Sequence, residues 1–190
     1  MKKILLTVIF FIVIISSPVY AQYETTPTQS ISIPTQSLTP SPTPAMIDYQ
    51  LPYPGILPGS PLYTLKMLRD KAMELLISDP LKKSNFYLLQ ADKRLGSALM
   101  LYERGNETLA ETTLSKGQKY LEKSLDKAVE AKKSQHDAGD IFARIKTSAT
   151  KEKQEIGLLV KKSKETMQQQ LKGDYIKAEN LEKRADQLKP

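Results

Sequence analysis

From Pro61 to the end of the chain, the apolar residues recur at helical spacing, and no stretch alternates as a strand would. The clearest seam advances by three and four residues through Leu81, Ser84, Leu88, Ala91, Leu95, Ala98 and Tyr102. The composition agrees, because 40% of the 190 residues are apolar, 7% are aromatic and Trp is absent, which is typical of helical bundles. The sequence therefore predicts an all-α fold, an antiparallel helical hairpin or bundle of four to five helices with elongated, coiled-coil-like character.

Turn residues divide this part of the chain into predicted helices at about 61–78, 80–104, 107–136, 140–172 and 175–189. Ser60 is placed to cap the first helix with Pro61 at its first position, and Asp79–Pro80 repeats this arrangement before the second. Gly105 is predicted to end the second helix and Asn106 to cap the third. Gly173–Asp174 is predicted to stop the fourth helix and cap the last.

The first two predicted helices are joined by a link so short that they must fold back as a hairpin. The first helix carries an apolar stripe of Leu65, Leu68, Ala72 and Leu75, and we expect Leu95 of the second helix to be buried against it. The third helix carries a comparable stripe, made of Ala110, Leu114, Gly117, Leu121, Leu125 and Ala128.

The first 21 residues have the features of an export signal. Lys2 and Lys3 form a positive start, an apolar run follows over residues 4–15, and Val19-Tyr20-Ala21 supplies a cleavage site. The run is shorter than the roughly 20 residues that a membrane-spanning helix needs. We predict a signal peptide over residues 1–21 that is cleaved before Gln22. An uncleaved membrane anchor is the alternative.

Residues 22–50 are rich in Pro, Thr, Ser and Gln, and their only charged residues are Glu24 and Asp48. Such a segment buries too little apolar surface to offset the entropy lost on ordering it, so a disordered stalk is predicted. Two interpretations stay open for this stalk. It is either a plain spacer or an O-glycosylated segment of an exported protein.

The stretch Leu51–Asp70 separates the stalk from the helices, because Pro52, Pro54 and Pro58 prevent a helix from running through it. Its first part, residues 51–59, carries Leu51, Tyr53, Ile56 and Leu57, which is more apolar surface than a spacer needs. We therefore expect this part to pack on the outside of the bundle, with Tyr53 and Tyr63 covering apolar surface near the start of the first helix. The predicted organisation is a helical domain over 51–136 followed by C-terminal helices over 140–190.

No residue stands out as catalytic, cofactor-binding or metal-binding, and we expect a protein that is not an enzyme and needs no cofactor. The absence of Cys removes thiol chemistry and Cys-type metal sites, and no hydrolase, zinc-protease, P-loop or dinucleotide motif is present. His136 has only Asp137 and Asp140 nearby, which is too few ligands for a metal site. Asn106-Glu107-Thr108 matches an N-glycosylation sequon, although Asn106 is also the predicted helix cap.

The formal net charge of +7 makes a nucleic acid or an anionic surface a candidate partner. Nucleic-acid binders concentrate their basic residues on one face, whereas here they are spread along the helices, so we expect no nucleic acid. The densest cluster is Lys161–Lys162 with Lys164. On the third helix, opposite charges interleave in the pattern of a solvated face, namely Lys116, Lys119, Lys123 and Lys127 with Glu122, Asp126 and Glu130.

One group of motifs resembles a known family. Pro58-Gly59-Ser60-Pro61-Leu62-Tyr63 with Lys66 is followed by Asp79-Pro80, by Tyr87-Leu88, and by Ala91, Arg94 and Leu95. This is similar to a family of uncharacterised exported domains of bacteria and archaea. Members of that family open with Pro-Gly, then Ser or Asp, then the pattern PLYxxK. They continue into a helix with the pattern LxxAxxRL, which is preceded by His or Tyr. The resemblance covers roughly Leu51 to Ala128. It implies a domain that follows a signal peptide or a membrane span and has no assigned activity.

Taken with the predicted signal, these features favour an extracytoplasmic protein, secreted or associated with the cell envelope. We expect a non-enzymatic interaction or structural module whose partner is an extracytoplasmic protein or an envelope polymer. The alternative is a cationic binder of anionic envelope polymers or of the membrane surface. A membrane tether is added if the signal is not cleaved.

Overall fold

The computed structural model describes residues 46–135 and 138–189. Within these ranges the chain forms α1 (Tyr63–Leu76), α2 (Pro80–Glu103), α3 (Glu107–Lys133), α4 (Gly139–Lys162) and α5 (Glu165–Leu188). No strand occurs in them, and the predicted all-α class is confirmed. The predicted signal peptide (1–21), residues 22–45 of the predicted stalk and His136 lie outside the described residues.

Two antiparallel helix pairs form the body of the fold, α2 with α3 and α4 with α5. In the first pair, Ser84 and Ser124 meet, and each hydroxyl donates to the backbone carbonyl oxygen of the other residue at 2.7 and 2.9 Å. In the second pair, Lys146 contacts Asp186 while Thr150 contacts Glu182, so the two helices run in opposite directions.

The four helices of the body share two buried clusters. The first cluster is made of Leu88, Ala91, Leu121, Leu125, Ala128, Ala131, Ala138, Ile141, Phe142, Ile145, Ala149, Leu181 and Ala185. The second is made of Leu95, Ala98, Leu114, Ile156, Leu159, Leu171 and Ala178. The stripes predicted for the second and third helices are therefore core-facing, and residues from both predicted segments, 51–136 and 140–190, contribute to the same clusters.

At Gly117, α3 approaches α2 closely. A Cβ atom on this residue would lie 3.2 Å from Cβ of Arg94 and 3.5 Å from the carbonyl oxygen of Ala91. The absence of a side chain thus lets the two helix backbones approach each other, which brings Arg94 close to the lysines of α3.

Several predicted helix ends are confirmed. The carboxylate of Asp79 accepts a hydrogen bond from the backbone N–H of Lys82 at 2.7 Å, with Pro80 at the first helical position. Gly105 follows the end of α2 with a left-handed φ of +76°, which glycine adopts without a steric penalty. Asn106 occupies the cap position of α3, but the predicted capping bond is wrong, because its side chain makes none.

The predicted start of the first helix is also wrong. Gly59 adopts φ +90°, as a turn requires, but the chain then makes a further turn in which the N–H of Tyr63 bonds the carbonyl oxygen of Ser60. The helix consequently begins at Tyr63, with Leu62 at the cap position and no capping side chain.

The break between the last two helices lies at Ser163–Lys164, and the predicted stop at Gly173–Asp174 is wrong. Both residues at the break have extended ψ angles, 156° and 154°. The hydroxyl of Ser163 donates to the carbonyl oxygen of Leu159, and such a local bond competes with the hydrogen bonds of the helix backbone. The same hydroxyl lies 2.7 Å from the hydroxyl of Tyr102 on α2. Gly173 continues the helix, and Asp174 is buried inside it.

α1 folds back along α2 as predicted, but its predicted stripe does not face α2. Leu65, Leu68 and Leu75 are exposed, and the buried residues of α1 are Asp70 and Glu74. Leu95 is buried, at 2% exposure, but it packs in the second cluster with residues of α3, α4 and α5. The predicted apolar contact between the first two helices is therefore wrong, because α3 occupies the seam of α2.

The lead-in segment (residues 46–62) packs on the body earlier in the chain than predicted. The backbone N–H of Ile47 donates to the side-chain oxygen of Gln154 at 3.0 Å, and the hydroxyl of Tyr49 donates to Asp92 at 2.6 Å. Leu51 packs against the second cluster, whereas Tyr53 is 79% exposed. The predicted stalk boundary at about residue 50 is wrong, because Ile47 and Tyr49 already bond to the helices. The covering role of Tyr53 is also wrong, because its side chain faces solvent.

Candidate functional site

α1 is attached to the body by polar side chains. Arg94 of α2 donates from Nη1 to the hydroxyl of Tyr63 at 2.8 Å and from Nη2 towards the sulfur of Met67 at 3.4 Å. Two turns further along α1, the hydroxyl of Tyr87 donates to Glu74 at 2.8 Å. Since residue 63 meets residue 94 and residue 74 meets residue 87, α1 lies antiparallel to α2 with its polar face inward.

Glu74 is the most heavily bonded carboxylate of this attachment. Besides Tyr87, it accepts a bond from Lys71 at 3.1 Å and lies 3.6 Å from Nζ of Lys123. Burial alone raises the pKa of this carboxyl, but the hydrogen bonds from Tyr87 and Lys71 and the charge of Lys123 hold the pKa of Glu74 below its usual value. Glu74 is therefore ionised at neutral pH and neutralises cations on both α1 and α3.

The opposite side of α1 is apolar and exposed. We call it the outer face of α1, and it consists of Leu62, Leu65, Leu68, Ala72, Met73, Leu75 and Leu76, whose leucines are 57–77% exposed. The charged side chains exposed along α1 are basic, because both of its carboxylates are buried. Arg69 and Lys71 are 68% and 64% exposed and bond back to Asp70 and Glu74.

A cleft of about 250 Å³ opens between α1 and α3. We call it the Arg94 cleft, and it is lined by Tyr63, Met67, Arg94, Lys116, Lys119, Tyr120 and Lys123. The guanidinium carbon of Arg94 lies 4.8 Å from the ring centre of Tyr120, and Nζ of Lys123 lies 5.5 Å from the same ring. Four basic residues thus line one opening.

The interleaved charges of α3 separate onto two sides of the helix. Lys116, Lys119 and Lys123 line the Arg94 cleft, whereas Glu122 and Asp126 lie 3.7 and 3.5 Å from the guanidinium of Arg184 on α5. The predicted solvated face is confirmed, because all of these side chains except the half-buried Lys127 are exposed, but their neighbours differ. The linear pattern mixes the two signs, but the acids lie towards α5 while Lys116 and Lys123 line only the Arg94 cleft. Lys119 lies between the two sides, because it also lines a groove beside α5.

A second set of buried polar groups lies between α2, α4 and α5. Asp92 accepts bonds from Tyr49 and Ser148, both at 2.6 Å, and burial raises the pKa of Asp92. Burial first, and then the neighbouring Asp174 and Asp92, raise the pKa of Glu152 to about 8. Glu152 is therefore largely protonated at neutral pH.

No group of three or more His, Asp or Glu residues in 46–135 and 138–189 is arranged to hold a metal ion. In the same ranges, no helix combines the length and apolar content needed to cross a bilayer. Sequence reasoning missed the Arg94 cleft. The sequence offers one signal for it. Tyr87 and Arg94 are motif residues seven apart, and so lie on one face of α2, and Tyr63 of the same group of motifs lies on α1.

A family model for a domain of unknown function (DUF5667) matches residues 55–188. The chain belongs to this family. No curated protein and no solved structure matches the chain.

The DUF5667 match extends well beyond Ala128, where the resemblance was expected to end, because it continues to residue 188 near the end of α5. It therefore includes both helix pairs of the body. Of the motif residues in this DUF5667 chain, Tyr63, Tyr87 and Arg94 attach α1 to α2, and Lys66 donates to the carbonyl oxygens of Pro54 and Ile56 in the lead-in segment.

Proposed function

We propose that this chain is an exported, non-enzymatic interaction module of the cell envelope that lies on the anionic membrane surface through the outer face of α1. One observation carries the proposal. α1 turns its leucines outward and its two carboxylates inward, so the surface it offers is apolar with a basic margin.

An amphipathic helix with these properties binds at the interface of a bilayer, where leucines enter the acyl boundary and basic side chains stay near anionic headgroups. Lys71 lies at one margin of the outer face, and Arg69, four residues after Leu65 and four before Met73, lies within it near the other margin.

Lys66 bonds to the carbonyl oxygens of Pro54 and Ile56 and so holds the lead-in segment beside the first turn of α1. Two exposed side chains of this segment, Tyr53 and Ile56, add apolar surface there. Tyrosine is favoured at such interfaces because its ring is apolar and its hydroxyl polar.

A second copy of the chain is a less suitable occupant of this face. In a symmetric pair of α1 helices, Arg69 and Lys71 would approach the same residues of the partner, and the face offers no exposed carboxylate to meet them. Like charges across an interface oppose association. An anionic surface removes this conflict.

Export is supported by the sequence of residues 1–21, in which a positive start, a short apolar run and Val19-Tyr20-Ala21 occur in the order of a signal peptide. In cells that express the full gene, we expect the protein outside the cytoplasm with its N-terminus at Gln22. Mass spectrometry of the purified protein checks this. A protein that keeps Met1 in the membrane fraction would instead be anchored by that segment.

The membrane contact is tested by sedimentation of the exported protein with vesicles. We expect binding to vesicles that contain phosphatidylglycerol and much weaker binding to pure phosphatidylcholine. The double variant Leu65→Glu/Leu75→Glu should lose at least tenfold in binding, because it places two charges on the apolar face. Its helical circular dichroism should stay unchanged, since both side chains are exposed in the wild type.

Leu89→Glu/Ile176→Glu supplies the matched control, because it also adds two charges, at residues that are 41% and 55% exposed on α2 and α5, outside the outer face of α1. This variant should bind vesicles like the wild type. Equal loss in the control and in Leu65→Glu/Leu75→Glu, or no vesicle binding by the wild type, would refute the membrane contact. If the wild type is a dimer and Leu65→Glu/Leu75→Glu is a monomer, while the control stays dimeric, the outer face of α1 binds a second copy of the chain.

A further inference from the structure

We infer that the Arg94 cleft is a binding site for a phosphate group. It uses residues of α2 and α3 and the inner face of α1, and thus goes beyond the membrane contact proposed for the outer face. The site consists of a buried guanidinium, three lysines on one helix and two tyrosine rings that form its walls.

Arg94 is the central residue of this site. It is only 6% exposed, yet no carboxylate in residues 46–135 and 138–189 lies within ion-pair distance of it. Its Nη groups contact Tyr63 and Met67, both uncharged, and its buried Nε–H has no acceptor in the described part of the chain. A buried charge without a counter-ion is costly, so a bound anion would be stabilised by the positive charge of Arg94 and would neutralise it.

Among the described residues, positive charge is in excess around the whole cleft. Arg94 is accompanied by Lys116, Lys119 and Lys123, and only Lys123 approaches a carboxylate, that of Glu74 at 3.6 Å. Glu74 is also bonded to Lys71. Asp70, the other carboxylate on the inner face of α1, bonds Arg69 through Oδ1, whereas its buried Oδ2 has no hydrogen-bond partner among the described residues. The four basic residues that line the cleft therefore outnumber the two carboxylates beside it.

The chemistry of the cations indicates the class of ligand. A guanidinium and several ammonium groups around one opening match the multiple oxygens and charges of a phosphate ester or a diphosphate. A volume of about 250 Å³ exceeds what a bare ion fills, and the ring of Tyr120 faces the same space. The phosphate could belong to a free small molecule or to a lipid headgroup, since both present the same oxygens.

The test is calorimetric titration of the full-length protein with inorganic pyrophosphate. We expect saturable binding with one site per chain. The double variant Lys116→Gln/Lys119→Gln should weaken the affinity at least tenfold, because it removes two cations from the rim of the cleft. Both lysines are exposed, so the fold should be preserved.

Lys161→Gln/Lys162→Gln is the matched control, since it removes the same charge from two exposed lysines at the end of α4, which do not line the cleft. It should leave the affinity within twofold of the wild type. Equal weakening by both double variants would show binding by net charge alone and overturn the site, as would the absence of saturable binding. Arg94→Lys should also weaken binding, with its melting curve as a check on folding.

A competition experiment distinguishes the two sources of the phosphate group, a lipid headgroup and a free small molecule. Vesicles containing phosphatidic acid should compete with pyrophosphate if the group belongs to a headgroup, and they should leave the titration unchanged if it belongs to a small molecule. The Leu65→Glu/Leu75→Glu variant should still bind pyrophosphate. Failure of the cleft and failure of the membrane contact therefore give different results.

Discussion

At the scale of single residues, Glu152 and Asp174 place two carboxylates of neighbouring helices inside the protein. Glu152 is 3% exposed and Asp174 is 2% exposed, and one oxygen of each has no hydrogen-bond partner among the described residues. Lys177 on α5 partly compensates them, and Gln118 donates to the backbone carbonyl oxygen of Asp174. Protonation of Glu152 removes a buried negative charge from this group.

This arrangement predicts a fold that is less stable at pH 8 than at pH 5. Unfolding restores the ordinary pKa of Glu152, near 4.5, whereas the folded state holds it near 8. Between these values the folded state retains a proton that the unfolded state releases, so the free energy of unfolding falls as pH rises. Urea titrations should give a decrease of about 2–4 kcal/mol from pH 5 to pH 8, and Glu152→Gln should remove most of it.

Glu155→Gln provides the comparison, because Glu155 lies on the same helix and pairs with Lys151 near the surface. This variant should keep the pH dependence of the wild type. If Glu152→Gln keeps it too, the titrating group is elsewhere, with Asp92 as the next candidate, since burial also raises its pKa.

Two glycines inside helices should respond in opposite ways to alanine. A Cβ on Gly173 meets nothing within 4 Å, so Gly173→Ala should stabilise the fold by about 0.5–1 kcal/mol through helix propensity. A Cβ on Gly117 would lie 3.2 Å from Cβ of Arg94, which is fixed to the backbone of α2. Gly117→Ala should therefore lower the melting temperature, and a gain equal to that of Gly173→Ala would contradict the close approach.

Single residues were the level at which the sequence was least informative. Arg94 occurs in a motif and the lysines occur in an interleaved run, and nothing in the linear order indicates that they face the same cleft. Their convergence depends on Gly117 and on the attraction of Glu122 and Asp126 towards Arg184. Such long-range pairings require the arrangement of three helices.

At the scale of elements, α1 demonstrates the limit of periodicity. The spacing of Leu65, Leu68, Ala72 and Leu75 predicts an amphipathic helix correctly, but it does not indicate which face meets the body. The apolar face is normally the buried one. Here the polar face has its own buried partners, Tyr87 and Arg94, and α3 has taken the apolar seam of α2.

A pair of leucine substitutions distinguishes the two faces. Leu95→Asp places a charge among apolar side chains of four helices, and it should cost about 2–5 kcal/mol of the ~5–15 kcal/mol that holds such a domain folded. Leu65→Asp alters a residue that is 65% exposed and should change stability by only about 0.5 kcal/mol. Thermal melts followed by circular dichroism check both, and similar losses would mean that α1 is packed through its leucines.

The break at Ser163–Lys164 escaped prediction for a related reason. Neither residue is a strong helix breaker, whereas Gly173 and Asp174 look like one in the sequence. The break is stabilised by tertiary contacts, since Ser163 is buried beside Tyr102. Gly173 costs the helix only about 1 kcal/mol, which the packing of α5 on α4 offsets. The seams of α2 and α3 were predicted well because apolar spacing and turn residues agree there.

At the scale of the whole molecule, the lead-in segment decides where the folded unit begins. Limited proteolysis should leave a resistant fragment that starts near Ile47, and not at Pro61. The bonds of Ile47 to Gln154 and of Tyr49 to Asp92, with Pro54 buried beside Gly96, protect this segment. N-terminal sequencing of the fragment locates the cut.

Tyr49→Phe tests the cause of that protection, because it removes the hydroxyl that bonds the buried Asp92. We expect cleavage between residues 49 and 61 to become faster while the helices stay resistant. Tyr53→Phe is the control, since Tyr53 is largely exposed. Unchanged cleavage in the Tyr49 variant would mean that Leu51 and Pro54 suffice.

The polar attachment of α1 has a consequence for how the native state fluctuates. Hydrogen bonds and ion pairs with exposed partners open more readily than an apolar core, so α1 should detach while α2 to α5 remain assembled. In hydrogen–deuterium exchange, the amides of α1 should exchange through this partial opening, orders of magnitude faster than those of α2 and α3, which await global unfolding. The chain would then consist of two cooperative units of unequal lifetime, and the Arg94 cleft, lined by both, would exist only while α1 is closed.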